Sequence, residues 1–160
     1  MTQAELLVAA LRQRGWTLGV AESLTGGAVC SQVVSVPGAS ATLLGGVVAY
    51  AIPVKHTLLG VDAALLAEHG AVHPDVAAQM AQGVRLAVAV DGRPADVGIG
   101  TTGIAGPDSP DGQPVGTVHI GIATPDCVRS IPYRFEGTRA EIRERATVAA
   151  LAEALVAVRE

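Results

Sequence analysis

Along the opening stretch, apolar residues recur at helical spacing. Leu6, Leu7, Ala10 and Leu11 share one face, Thr2 stands where a cap is needed, and Gly15 marks the end. A short strand, Thr17 to Ala21, is expected next. From Thr25 onward Ala28, Val29, Gln32 and Val33 suit a second helix that stops before Pro37-Gly38, and Gly46 to Tyr50 reads as an apolar strand leading toward Lys55. Two helices follow, one around Asp62 to Glu68 and one from Pro74, acceptable in a first turn, to about Val88. Val97 to Thr101, Gly116 to Ala123 and Val128 to Phe135 read as strands, the last two close enough to pair as a hairpin around Thr124-Pro125-Asp126. A final helix starts at Thr138, where Thr138-Arg139-Ala140-Glu141 matches a capping box, and runs on Ile142, Ala146, Ala149, Leu151 and Leu155. The order α-β-α-β-α-α-β-β-β-α predicts the α/β class: a three-layer α/β/α sandwich with a mixed β-sheet.

Composition sharpens this picture. With 160 residues, no internal repeat and no linker, a single domain over 1–160 is expected. Hydrophobic residues make up 49% and aromatics only 2%, so Ala, Val, Leu and Ile must fill the core. A net charge of -4 and the absence of any Lys/Arg run argue against a nucleic-acid or membrane-surface partner. Ser23 to Val54 carries no charge, yet Gly26, Gly27, Pro37, Gly38, Gly45 and Gly46 interrupt any apolar helix, so it reads as buried or site-forming chain rather than a membrane span. Met1-Thr2-Gln3-Ala4-Glu5 has no basic region leading into an apolar run, which argues against a signal peptide and for a cytoplasmic protein. Cys30 and Cys127 have neither disulfide-framework nor metal spacing and read as buried, reduced thiols.

Candidate chemistry gathers at a few points. Lys55 is the only lysine beside ten arginines, and a desolvated lysine, unlike arginine, can shed its proton and act as a base. A spared surface lysine is the other reading. In Ala21-Glu22-Ser23-Leu24-Thr25-Gly26-Gly27, Ser23 stands where a strand ends and a glycine-permissive turn opens a helix. Unpaired amides at such a helix start can hold a phosphate or an oxyanion, so Ser23 is placed as a nucleophile, or Ser23 or Thr25 as a plain helix cap. Tyr50 and Lys55 follow a strand that the fold would bring to the same edge, where lysine could take the serine proton and the tyrosine hydroxyl could bridge or steer. Gly98-Ile99-Gly100-Thr101-Thr102-Gly103 matches G-x-G-x-x-G, but Pro107, Pro110 and Pro114 follow where a dinucleotide site needs a helix. Thr101-Thr102-Gly103-Ile104-Ala105-Gly106-Pro107 reads instead as a glycine-rich loop whose hydroxyls and amides line a polar ligand site, or as a surface turn. Arg139 and Arg143 share a helix face and could clamp an anion, or be neutralised by Glu136, Glu141 and Glu144. His69 and His73 have i,i+4 spacing, but Gly70 and Pro74 break the helix that would align them on a metal.

Taken in order, AESLTGG at 21–27, SVPGAS at 35–40, GGVVAY followed by Lys55, TTGIAGP at 101–107, PVGTV at 114–118 and GTRAEIR at 137–143 resemble the CinA carboxyl-terminal domain family, the nicotinamide-mononucleotide (NMN) amidohydrolases, over nearly the whole chain. The resemblance implies hydrolysis of the NMN carboxamide to nicotinate mononucleotide and ammonia in pyridine-nucleotide salvage, with a serine-lysine mechanism, no metal and no cofactor. On that resemblance Ser23 attacks, Lys55 acts as base and then proton donor, and Tyr50 assists. The amides of Thr25, Gly26 and Gly27 are the candidates for oxyanion stabilisation, and Thr102, Gly103 and Gly106 with Arg139 and Arg143 for holding ribose or phosphate. The aliphatic helices and the family's habit lead to the expectation of a homodimer. Two departures stand out: Ala51-Ile52 where the family often has Ser-Asn, and Asp108-Ser109-Pro110-Asp111-Gly112 where it has a richer glycine run. They motivate a second reading, a non-catalytic nucleotide-binding module. A third, a competence or DNA-damage accessory protein, comes from the family's name. The family's larger architecture carries an amino-terminal molybdopterin-binding-like domain, whose activity is not expected of this chain.

Overall fold

Alternate residues of the central strands send their side chains into two separate cores. In a computed structural model that describes residues 1–160, the elements run α1 (Gln3–Arg14), β1 (Leu18–Glu22), α2 (Ala28–Val34), a 3-10 turn (Ala39–Ala41), β2 (Leu43–Val48), α3 (Ile52–Leu59), α4 (Ala63–His69), α5 (Pro74–Ala87), β3 (Val97–Gly103), β4 (Thr117–Ala123), β5 (Val128–Arg134) and α6 (Arg139–Arg159). The strands form one sheet in the order β2-β1-β3-β4-β5. β1 is parallel to β2 and to β3, whereas β4 runs antiparallel to β3 and to β5. This is the mixed sheet with helices on both faces that the hydrophobic pattern predicts.

Leu18, Val20, Val97, Ile99, Val118, Ile120 and Ile122 pack with α1, α2 and α6 in the larger core. Each such side chain, fully buried, stabilises the fold by about 1.5–3 kcal/mol. On the other face Leu59 of α3, Leu66 of α4 and Val76, Met80 and Val84 of α5 form a smaller core with Ala21 and Ala49. There the sheet presents glycine. A Cβ on Gly98 would lie 1.9 Å from the Ala81 carbonyl oxygen, and one on Gly121 would lie 2.0 Å from that of Ala77. The G-x-G of β3 is therefore the floor on which α5 rests, and the strand continues to Gly103 without opening a helix.

Local chemistry sets the helix ends. Thr2 accepts from the Glu5 amide at 3.2 Å while the Glu5 carboxylate takes the Thr2 amide at 2.7 Å, and Thr138 with Glu141 repeats the arrangement at α6. His73 caps α5, its Nδ1 accepting from the Asp75 amide at 3.1 Å. The sequence pattern missed α3. It spans eight residues, follows Ala51, which offers no side-chain cap, and carries Pro53 in its first turn, so its signals are those of a loop. β2 starts earlier than predicted and ends at Val48, leaving Tyr50 in the connection to α3. The cysteine reading needs correcting too: Cys127 is exposed, and Cys30 is half-buried, its thiol pushed up to about 12 by burial and by Glu22. No helix is long and apolar enough to cross a membrane.

Candidate active site

The end of β1 is held from three directions. Glu22 is fully buried, its Oε1 accepting from the Val29 amide at 2.9 Å and its Oε2 from the Cys30 amide at 3.0 Å. The amide of Ser23 donates to the Thr101 backbone oxygen and to Thr101 Oγ1, each at 3.2 Å, and Thr101 Oγ1 in turn lies 2.9 Å from Thr25 Oγ1. Arg143 closes the turn from α6, its Nε donating to Leu24 O at 2.9 Å and its Nη2 to Thr25 O at 3.2 Å. The nucleophile candidate thus rests on a rigid strand end rather than on a free loop.

This arrangement corrects the expected oxyanion donors. The first free amides of α2 go to Glu22, the Gly26 amide donates to Ser23 O at 3.1 Å, and Gly27 is the left-handed residue, φ 101°, that precedes the helix. Thr25 is fully buried, and Thr25, Gly26 and Gly27 all lie outside the cavity lining. The amides of Leu24 and Thr25 have no acceptor in the protein, and Leu24 lines the cavity.

Lys55 projects from α3 and is fully buried. Its Nζ donates to Ala49 O at 2.7 Å, to Ser23 Oγ at 3.0 Å and to Tyr50 O at 3.1 Å. No carboxylate pairs with it. Burial alone brings its ammonium down from 10.5 to about 8. Two carbonyls fix two of the three hydrogens, so the remaining tetrahedral direction points at Ser23 Oγ. Protonated, the amine donates there; neutral, it aims its lone pair there.

Tyr50 departs from expectation. Its hydroxyl reaches neither Ser23 nor Lys55 but accepts from Arg139 Nη2 at 3.2 Å, and only its carbonyl steers the lysine. Arg139 Nη1 donates to Gly106 O at 2.6 Å. Arg139 and Arg143 do not form one anion clamp, because Arg143 turns to the 24–25 backbone while Arg139 faces the cavity. The glutamates do not neutralise them either, since Glu141 holds the Thr138 amide and lies 3.9 Å from Arg145.

An inner chamber of about 170 Å³ is lined by Ser23, Leu24, Tyr50, Lys55, Ala71, Val72, Thr102, Gly103, Ala105 and Arg139. It adjoins an outer chamber of about 490 Å³ that shares Tyr50, Ala71, Val72, Gly103, Ala105 and Arg139 and adds Ile52, Gly106, Pro107, Asp108 and Asp111 among others. Ala71 and Val72, which sequence reasoning missed, form one wall. Thr102 Oγ1 donates to Ala71 O at 2.7 Å and Gln113 Nε2 to Val72 O at 2.9 Å, so Thr102 supports that wall from the sheet. Nothing in the type of Ala71 or Val72 signals a site. The histidines stand apart from the chamber lining, the His69 and His73 rings tilted by 32° with centroids 4.7 Å apart.

Comparison with known proteins places this geometry in a group. The chain is 49% identical over 141 residues to a CinA-like protein of Frankia casuarinae, covering 88% of this chain and 31% of that protein. A CinA-like protein of Anaeromyxobacter is 47% identical over 148 residues, covering 91% of this chain and 35% of its own. This chain spans about a third of the length of the curated relatives it matches. Among solved structures, a competence-damaged protein (CinA) superfamily protein from Klebsiella pneumoniae superposes with a TM-score of 0.91 at 29% identity, covering 98% of this chain and 96% of that one. The competence/damage inducible protein CihA from Agrobacterium tumefaciens gives 0.88 at 31% identity, with 99% and 96% covered. The profile of the CinA C-terminal domain matches residues 1–157, so the strand-end serine, the buried lysine and the fold that joins them sit in a chain that belongs to the CinA C-terminal domain family.

Proposed function

We propose that the protein is an amidohydrolase that converts nicotinamide mononucleotide and water to nicotinate mononucleotide and ammonia through Ser23 and Lys55. The observation that carries this reading is a fully buried amine, without a carboxylate partner, 3.0 Å from a serine hydroxyl at the edge of a cavity. Neutral Lys55 takes the Ser23 proton as Oγ attacks the carboxamide carbon, and the amide of Leu24, a residue of the cavity lining, receives the developing oxyanion. Lys55 then gives its proton to the departing nitrogen, which leaves as ammonia. Water enters, Lys55 accepts its proton, and the new hydroxide breaks the Ser23 ester, returning the proton to Oγ and releasing the carboxylate. The inner chamber, with room for roughly five or six water volumes, suits the pyridine carboxamide. Arg139, the one arginine in the chamber lining, suits the phosphate.

The test is ammonia release from NMN by the purified protein with chelator present. Turnover is expected in the wild type and is lost in Ser23→Ala and in Lys55→Arg; release that survives both substitutions rules the mechanism out.

A second reading, a nucleotide-binding module without turnover, is motivated by Ala51-Ile52 and by the altered 108–112 loop, whose Asp108 and Asp111 line the outer chamber. Tight NMN binding by calorimetry with no ammonia release selects it. The names of the relatives suggest a role in competence or DNA damage, which requires salt-dependent DNA binding; the net charge of -4 leads us to expect none.

A further inference from the structure

Tyr50 is joined to both ends of the site at once. Its carbonyl accepts from Lys55 Nζ at 3.1 Å, its hydroxyl accepts from Arg139 Nη2 at 3.2 Å, and Gly106 O holds the other terminal nitrogen of the guanidinium at 2.6 Å. Residue 50 is otherwise loosely packed, at 62% exposure. Six residues line both the inner and the outer chamber, and Tyr50 and Arg139 are the two of them whose side chains hydrogen-bond to each other, so their contact lies at the seam where the two chambers meet. Arg139 is also the only cationic side chain of the outer chamber, and Lys55 in the inner one already donates to three acceptors.

We propose that Tyr50 is a specificity-determining residue: its hydroxyl holds Arg139 across the seam, and a substrate opens it by supplying a phosphate monoester oxygen that takes Nη2 in its place. The inference rests on the reading of this cavity as a nucleotide site and is independent of whether that site hydrolyses anything. The exchange favours an anion for a physical reason. A phosphate oxygen adds the attraction of opposite charges, and a second acceptor for the planar guanidinium, to what a neutral phenol offers, and the displaced phenol, already largely exposed, returns to water at little cost. A neutral ribose hydroxyl offers Arg139 no better acceptor than the phenol it would replace. Because the tyrosine swings by side-chain rotation, its carbonyl can stay on Lys55, and the base keeps its orientation while the seam opens.

Calorimetric titration with ribose 5-phosphate, and with ribose as the uncharged control, tests this in the wild type, Tyr50→Phe and Arg139→Gln. Removing the competing hydroxyl is expected to tighten ribose 5-phosphate binding by about three- to ten-fold in Tyr50→Phe. Arg139→Gln is expected to weaken it by about ten-fold or more, and the response to ribose is expected to be the same in all three proteins. Equal or weaker binding in Tyr50→Phe overturns the proposal, since the hydroxyl would then be idle or touch the ligand itself. No loss in Arg139→Gln, or no detectable binding in any of the three, overturns it as well. The readout is binding, so a failure of ammonia release from NMN bears on the hydrolytic reading alone.

Discussion

The Nζ of Lys55 lies closer to the carbonyl oxygen of Ala49, at 2.7 Å, than to the hydroxyl of Ser23, at 3.0 Å. The backbone therefore sets the direction of the amine, and the serine meets whatever that direction presents. Only the neutral amine can receive the serine proton, so kcat/KM for amide hydrolysis is expected to rise with pH through a midpoint near 8 and then level off. A profile that falls through that midpoint would assign the essential form to the ammonium. Lys55→Arg, which cannot deprotonate, is expected to lose about 10²- to 10⁴-fold in turnover.

The same burial links folding to pH. The folded value of Lys55, about 8, lies below its ordinary 10.5. Below pH 8 both folded and unfolded chains hold the proton, and the folded state bears the full cost of a buried ammonium. Between the two values the unfolded chain keeps a proton that the folded one has shed, so the folded state gains stability as pH rises. Relative to Lys55→Met, wild-type unfolding free energy should increase by on the order of 3 kcal/mol between pH 8 and 10.5. Urea denaturation at several pH values measures it, and a pH-independent difference contradicts the shift.

Glu22 is a second buried charge with a different task. Its two oxygens satisfy the amides of Val29 and Cys30, and Glu22→Gln would turn an NH₂ group toward one of them. A loss of about 1–3 kcal/mol is expected by denaturation, because a buried donor is left without an acceptor. The same change removes one of the influences that raise the Cys30 thiol, although burial remains the larger, so Cys30 should react with thiol reagents at a lower pH than in the wild type.

Gly121→Ala tests the floor beneath α5. The added Cβ would meet the Ala77 carbonyl oxygen at 2.0 Å and its carbon at 2.4 Å, backbone atoms that cannot rotate away. The helix must lift from the sheet, at a cost of about 3 kcal/mol or more. A thermal midpoint equal to the wild type's would mean that the helix moves freely on the sheet.

The strands and most helices were legible because apolar periodicity and caps such as Thr138 with Glu141 are local signals. α3 was not, since Pro53 and the uncapped Ala51 imitate a loop, although that helix delivers Lys55. Ser23 and Lys55 were found by residue type and come within 3.0 Å of each other. The fate of the α2 amides was hidden because Glu22 reaches seven and eight residues forward, a contact that exists only once the turn has formed. Arg139 and Arg143 share a face by spacing, yet the approach of α6 to the turn at Leu24 sends one to the backbone and leaves the other at the cavity. Helical periodicity says which residues are neighbours and not what the helix meets.

One property of Lys55 reaches beyond catalysis. The chain has no other ε-amine, and the folded protein hides this one completely. An acylating reagent applied to the native protein therefore meets residue 55 only through the chamber that Lys55 lines, and the rate of that mark follows how readily the reagent enters it. A ligand seated in the chamber would slow that mark, so the lysine reports occupancy of the site without any engineered label.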